Sequence, residues 1–179
     1  MKRVNVVVSL AVMATLSVAF SPRAAWSQET REQAAANLRK PEAKEMDPSF
    51  TVAAPYAQKL VDEALARHPE VLLLAIHAGA PKYDIIASNF GRIGKLGDED
   101  DLRCIHTGKD NLEVNKEGIH FENQTPLRDK AGKIIGAIGI VFRYKPGDDK
   151  LALQKVAKAI SAEMQAQIIS AKELLGPVQ

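Results

Sequence analysis

The stretch TPLRDKAGKIIGAIGIVFRY, Thr125 to Tyr144, decides the fold. Arg128-Asp129-Lys130-Ala131-Gly132 is a polar turn, and the strongly apolar run from Ile134 to Tyr144 follows it. A strongly apolar run of this kind predicts a central strand. Gly136 and Gly139 within it predict bends or the close approach of a neighbouring backbone. Just before the turn, Ile119 to Leu127 reads as a strand, preceded by the turn Glu117-Gly118 and a short strand from Asn111 to Val114.

Further towards the N-terminus, Val71 to Ala78 and Tyr83 to Ser88 form a second hairpin around Gly79-Ala80-Pro81-Lys82. Between the hairpins lies Asn89-Phe90-Gly91-Arg92-Ile93-Gly94-Lys95-Leu96-Gly97, whose regularly spaced glycines cannot propagate a regular element. Asp98 then caps a short helix, with Asp101 in capping-box spacing and Gly108 as the stop. The acidic run Asp98 to Asp101 suits that helix N-terminus and lacks the spacing of a calcium loop. Ala57, Leu60, Val61, Ala64 and Leu65 mark an amphipathic helix that ends at His68-Pro69. After Pro146-Gly147-Asp148-Asp149, one long helix is expected, with Leu153, Val156, Ile160, Met164 and Ile168 on one side and Gly176-Pro177 at its end. The order is helix, two strands, short helix, three strands, helix, an α+β chain.

Residues 1–27 read as a cleavable export signal: Lys2 and Arg3, an apolar stretch from Val4 to Phe20, and the small residues Ala25 and Ser27 before the cut. Residues 28–50 are a polar, Ala-rich leader, expected to be solvated and partly helical; 51–145 form the domain, and 146–179 the C-terminal helix packed on it or extending from it. The chain carries 24 Lys and Arg against 22 Asp and Glu. Three of the basic residues, Lys2, Arg3 and Arg23, lie in the signal, so the mature balance tips to about −1. Without a basic cluster, nucleic acid is excluded as a partner. No second apolar run is long enough to span a bilayer, so no stable membrane insertion is expected after cleavage, and the location is periplasmic or secreted. Cys104 stands alone, which rules out an internal disulfide and a cysteine-rich zinc site; it reads as a small buried side chain.

IIASNFGRIGK (Ile85 to Lys95), HTGK (His106 to Lys109) and the Thr125 to Tyr144 segment together resemble extracytoplasmic PAS-like sensor domains of the Cache type. The last pattern is Pro-x-x-Asp-x-x-Gly-Lys-x-x-Gly, here Pro126, Asp129, Gly132, Lys133 and Gly136, and the resemblance covers about Pro55 to Tyr144. It implies a PAS-like five-stranded antiparallel sheet with flanking N- and C-terminal helices. A ligand would lie between the sheet and a cover made of the glycine-rich segment and the Asp98 to Gly108 helix. This would be a free-standing version, without the membrane helices and output domain that such sensors usually carry.

His77, Ser88 and Asn89 at the strand ends, with Arg92 and Lys95 in the glycine-rich loop, are the expected ligand-binding residues; the two cations can meet a carboxylate or phosphate. The expected function is a non-catalytic small-ligand binding or sensing module for a small anionic metabolite, with no cofactor. Its rivals are an accessory subunit that docks on a membrane receptor or exported enzyme through the leader and C-terminal helix, and a small hydrolase or metal-dependent enzyme. His77, His106 and His120 show no paired metal-ligand spacing, and no nucleophile elbow, phosphate loop or zinc-protease motif occurs. Glu122 is expected to pair across strands with Arg128 or Lys133. Asn123-Gln124-Thr125 matches a glycosylation acceptor by chance.

Overall fold

The computed structural model describes residues 29–176; the segment expected to be an export signal, 1–27, lies outside them. β5 (Ile134–Arg143) is central, as its apolar run predicts. It pairs with β1 (Val71–Ala78) on one side and β4 (His120–Arg128) on the other. β2 (Asp84–Ser88) and β3 (Asn111–Val114) close the edges, giving a five-stranded antiparallel sheet of order β2-β1-β5-β4-β3. The α+β, PAS-like fold expected from the sequence is the one observed. The turn between β4 and β5 is built by Asp129, whose Oδ1 accepts from the backbone N–H of Ala131 and Lys133, while Gly132 takes φ 86°. That is the physical content of the Asp-x-x-Gly-Lys pattern.

One sheet face is covered by α2 (Pro55–Arg67), α4 (Lys150–Gln165) and α5 (Ala171–Leu175). Leu60, Val61, Ile160 and Met164 pack there on Leu74, Ile76, Ile138 and Phe142. The single C-terminal helix expected from the periodicity is in fact broken. The Ile168 carbonyl accepts from the N–H of Lys130 at 2.7 Å, tying the chain to the β4–β5 turn, and the Ser170 side chain caps a new helix. Turning back here buries both Ile168 and Leu174 (each 0% exposed); the break is driven by packing on the sheet.

β4 places Phe121, Asn123 and Leu127 on this helix-covered face by strand alternation, and Asn123 is fully buried, so it is no glycosylation acceptor. Its side-chain oxygen and nitrogen both lack a hydrogen-bond partner among the described residues. A desolvated, unpaired amide costs about 1–3 kcal/mol, which an apolar side chain of similar size avoids. Asn123→Val is therefore expected to raise the melting temperature by a few degrees; a lowered midpoint would show that the amide has a partner.

The opposite face is covered by the glycine-rich loop and by α3 (Glu99–Thr107), with the Asp98–Asp101 capping box and the left-handed Gly108 as expected. A third piece was not expected. The leader, read as solvated, packs on the sheet through α1 (Arg31–Ala36): Ala34 is 1% exposed against Leu72 and Leu73. The Arg31 guanidinium donates to the carbonyls of Leu65, His68 and Val71. Three carbonyl acceptors for one guanidinium hold a six-residue helix too short to be stable alone. The leader is also laced to the glycine-rich loop by an antiparallel bridge between Met46 and Lys95, and by Leu96 N–H donating to the Glu45 carbonyl. Among the described residues, no helix is long and apolar enough to cross a membrane.

Candidate functional site

Because β1, β4 and β5 alternate, Leu73, Ala75 and His77, then Glu122 and Gln124, then Gly139 and Val141 face away from the helix layer. They floor a cavity of about 290 Å³, with Phe90, Arg92 and Lys95 of the glycine-rich loop, Asp98 and Asp101 of the α3 start, and Leu38 and Arg39 of the leader around it. A neighbouring cavity of about 490 Å³ under the leader shares Leu38, Arg39, Glu113 and Glu122, so the two adjoin.

Of the expected ligand-binding residues, His77, Arg92 and Lys95 meet at this cavity, while Ser88 and Asn89 are not in its lining. The Ser88 hydroxyl donates to the Gly91 carbonyl. Asn89 extends the β1 ladder: its Oδ1 accepts from Leu74 N–H and its Nδ2 donates to the Leu72 carbonyl, both at 2.9 Å. Arg92, in the left-handed region at φ 61°, donates to the Arg39 carbonyl and lies 5.9 Å over the Phe90 ring. Lys95 Nζ sits 3.2 Å from Asp98 Oδ2. Both cations thus already have partners within the cover.

His77 is 6% exposed, and burial, reinforced by Lys95, pushes its pKa down to about 4, so the ring is neutral near pH 7. Its Nδ1 lies 3.4 Å from Asp101 Oδ2 without the alignment of a hydrogen bond, and has no other partner among the described residues. Asp101 accepts from Gln124 Nε2 at 2.9 Å and from Asp98 N–H at 3.0 Å. Burial first, and then the Asp98 charge, push its carboxyl up to about 7.

Glu122 has neither of the basic partners expected for it. Its cross-strand neighbours are Glu113 on β3 and Val141 on β5, whereas Arg128 donates to the Gly132 carbonyl. The Glu122 side chain makes no hydrogen bond or ion pair among the described residues. Burial, then Asp98, Glu113 and Asp100, raise it to about 7. Room for its carboxylate comes from Gly139, whose added Cβ would stand 3.3 Å from Glu122 Oε1. The sequence places Glu122 in a cross-strand pair and Asp101 in a cap; the available signal for the site is a charged residue at an inward position of an alternating strand.

The three histidines do not converge: His120 pairs with Glu29 at 2.6 Å, and His106 lies edge-on to Tyr83. Among the described residues, no three His, Cys, Asp or Glu side chains come together as a metal site. Cys104 is buried, and its thiol is pushed up to about 12, first by burial and then by Asp110.

Fold and cavity define the class: an α+β, PAS-like domain with an ionisable cavity on the sheet face opposite its main helical layer. No family model matches the chain, and no curated protein matches it. Among solved structures it is similar to a type II free methionine-R-sulfoxide reductase from Thermoplasma acidophilum (14% identity, 68% of this chain and 93% of that one, TM-score 0.48). It is also similar to a GAF domain (12%, 66% and 80%, 0.47) and to the inducer-binding domain of the PobR transcription factor from Acinetobacter (8%, 63% and 97%, 0.44). At these TM-scores the likenesses do not bear on function.

Proposed function

We propose that the chain is an exported, non-catalytic module of the Cache type that binds a small molecule in the 290 Å³ cavity and works in the periplasm or as a secreted protein. The observation that carries this reading is the ionisable lining enclosed between sheet and cover. His77 is almost fully buried there with its Nδ1 unbonded among the described residues, and Glu122 stands beside it with no side-chain partner, so neither polar group serves the packing. A fold stabilised only by its core would fill this space with apolar side chains, as it does on the helix-covered face. Binding would draw the glycine-rich loop and α3 onto the ligand. The leader moves with them, because its backbone is hydrogen-bonded to that loop.

The test is native mass spectrometry of the exported protein beside Gly139→Leu, which puts a bulky side chain into the cavity floor beneath Glu122. The wild type is expected to carry a co-purifying small molecule that the variant lacks. An equal load on both proteins, or a wild type that carries nothing and responds to no compound in a metabolite thermal-shift screen, would overturn the reading.

A further inference from the structure

The partners already made by Arg92 and Lys95 leave the cavity short of donors and rich in acceptors. Two carboxylates, Glu113 and Glu122, stand directly opposite each other on β3 and β4, and neither makes an ion pair or side-chain hydrogen bond among the described residues. Like charges in this position repel, and a sheet normally avoids them. Asp98 and Asp101 bring further acidic oxygens to the same wall, while His77 is neutral. His77 is 94% buried at the cavity, and its Nδ1, 3.4 Å from Asp101 Oδ2, has no hydrogen-bond partner among the described residues.

We infer that the cavity takes a small organic cation, whose ammonium or guanidinium N–H groups donate to Glu122 and Glu113 and whose carbon chain lies on Ala75 and Val141. This assignment rests on the cavity being the binding site, and it reverses the ligand charge expected from Arg92 and Lys95. An organic cation fits better than a metal ion because the acceptors are spread along the wall: no three of them gather into a metal site among the described residues. A chain with several N–H donors can reach separate acceptors.

The ionisable groups around Glu122 are Glu113 from β3, Asp98, Asp100 and Asp101 from the start of α3, Arg92 and Lys95 from the glycine-rich loop, Arg39 from the leader and His77 from β1. Glu122 and Asp101 both titrate near 7, so cation binding should strengthen as pH rises through that value. His77 remains neutral across the same range.

The experiment uses three four-carbon probes that differ in charge: 1,4-diaminobutane, 4-aminobutanoate and succinate. Calorimetric titration of the mature protein at pH 8 and constant ionic strength is expected to show diaminobutane binding at least about tenfold tighter than succinate. Glu122→Gln should weaken it roughly tenfold to a hundredfold, the worth of one charge-assisted hydrogen bond. Acidification from pH 8 to 6 should weaken it in the wild type and much less in Glu122→Gln. Succinate binding that is lost in Gly139→Leu but indifferent to Glu122→Gln would overturn the cation assignment and keep the cavity. Diaminobutane binding that both variants leave unchanged would overturn the assignment and place binding elsewhere. Undetectable binding of diaminobutane would also overturn it.

Discussion

Gly136→Ala is expected to destabilise the protein by about 3 kcal/mol or more, a large effect for one methyl group. The added Cβ would stand 2.0 Å from the carbonyl oxygen of His77 and 3.2 Å from the Cβ of Ala78. Neither can swing away, since both belong to β1, which is held between β5 and β2. The two central strands would have to separate locally, weakening hydrogen bonds and opening the packing of Ile76 against Ile138. Gly139 on the same strand is the control: there the nearest atom is the far end of the Glu122 side chain, 3.3 Å away, which can move. Urea unfolding should place Gly136→Ala well below Gly139→Ala. Equal midpoints would mean that β1 and β5 do not approach as closely as described.

The second expectation is a gain. Glu122→Gln should stabilise the folded protein at pH 8 by about 1–3 kcal/mol and lose that advantage on acidification. Glu122 is raised from about 4.5 unfolded to about 7 folded, so the native state holds its proton more tightly than the unfolded chain. Raising pH from about 4.5 to 7 therefore removes stability, and above 7 the whole cost of the buried charge is present. Asp101, raised to about 7, acts in the same direction. His77, lowered to about 4, acts oppositely: acidification below about 6.5 removes its contribution. Between pH 8 and 6.5 the two carboxylates dominate and the wild type should gain stability; below that, His77 offsets part of the gain. Urea unfolding of both proteins at pH 8 and pH 5 tests this, and an equal difference at the two pH values would refute the protonation account. A variant that is more stable yet binds the cation less well would mark Glu122 as a residue kept at a cost to folding.

What could be read locally came from residues whose chemistry acts on near neighbours. The Asp129-x-x-Gly132 turn, the Asp98–Asp101 box and the Gly108 stop are closed by hydrogen bonds over a few residues. The unbroken apolar run of β5 announces a central strand. The leader could not be read in this way. α1 buries one alanine, and its docking depends on Arg31 reaching carbonyls about 35 to 40 residues away. Nor could the break after Gln165 be read, since Ile168 lies where a continuing amphipathic helix would also place an apolar residue.

The site divides in the same way. His77, Arg92 and Lys95 were legible because strand ends and a glycine-rich loop converge in a hairpin. Asn89 shares that neighbourhood, but its amide replaces a missing strand partner for β1. Glu122 was hidden because a cross-strand neighbour depends on register. The structure places Glu113 opposite it, where a basic residue was expected.

The amino-acid sequence by itself determined a central strand from Ile134, its hairpin turn, the capped α3 and the order of elements, because periodicity and capping are local properties. Tertiary structure alone decided that the leader roofs the cavity, that the cations of the glycine-rich loop are already engaged, and that two carboxylates face each other with no cationic partner among the described residues. Each of these depends on which distant segments meet, and the free energy of a charge depends on that company.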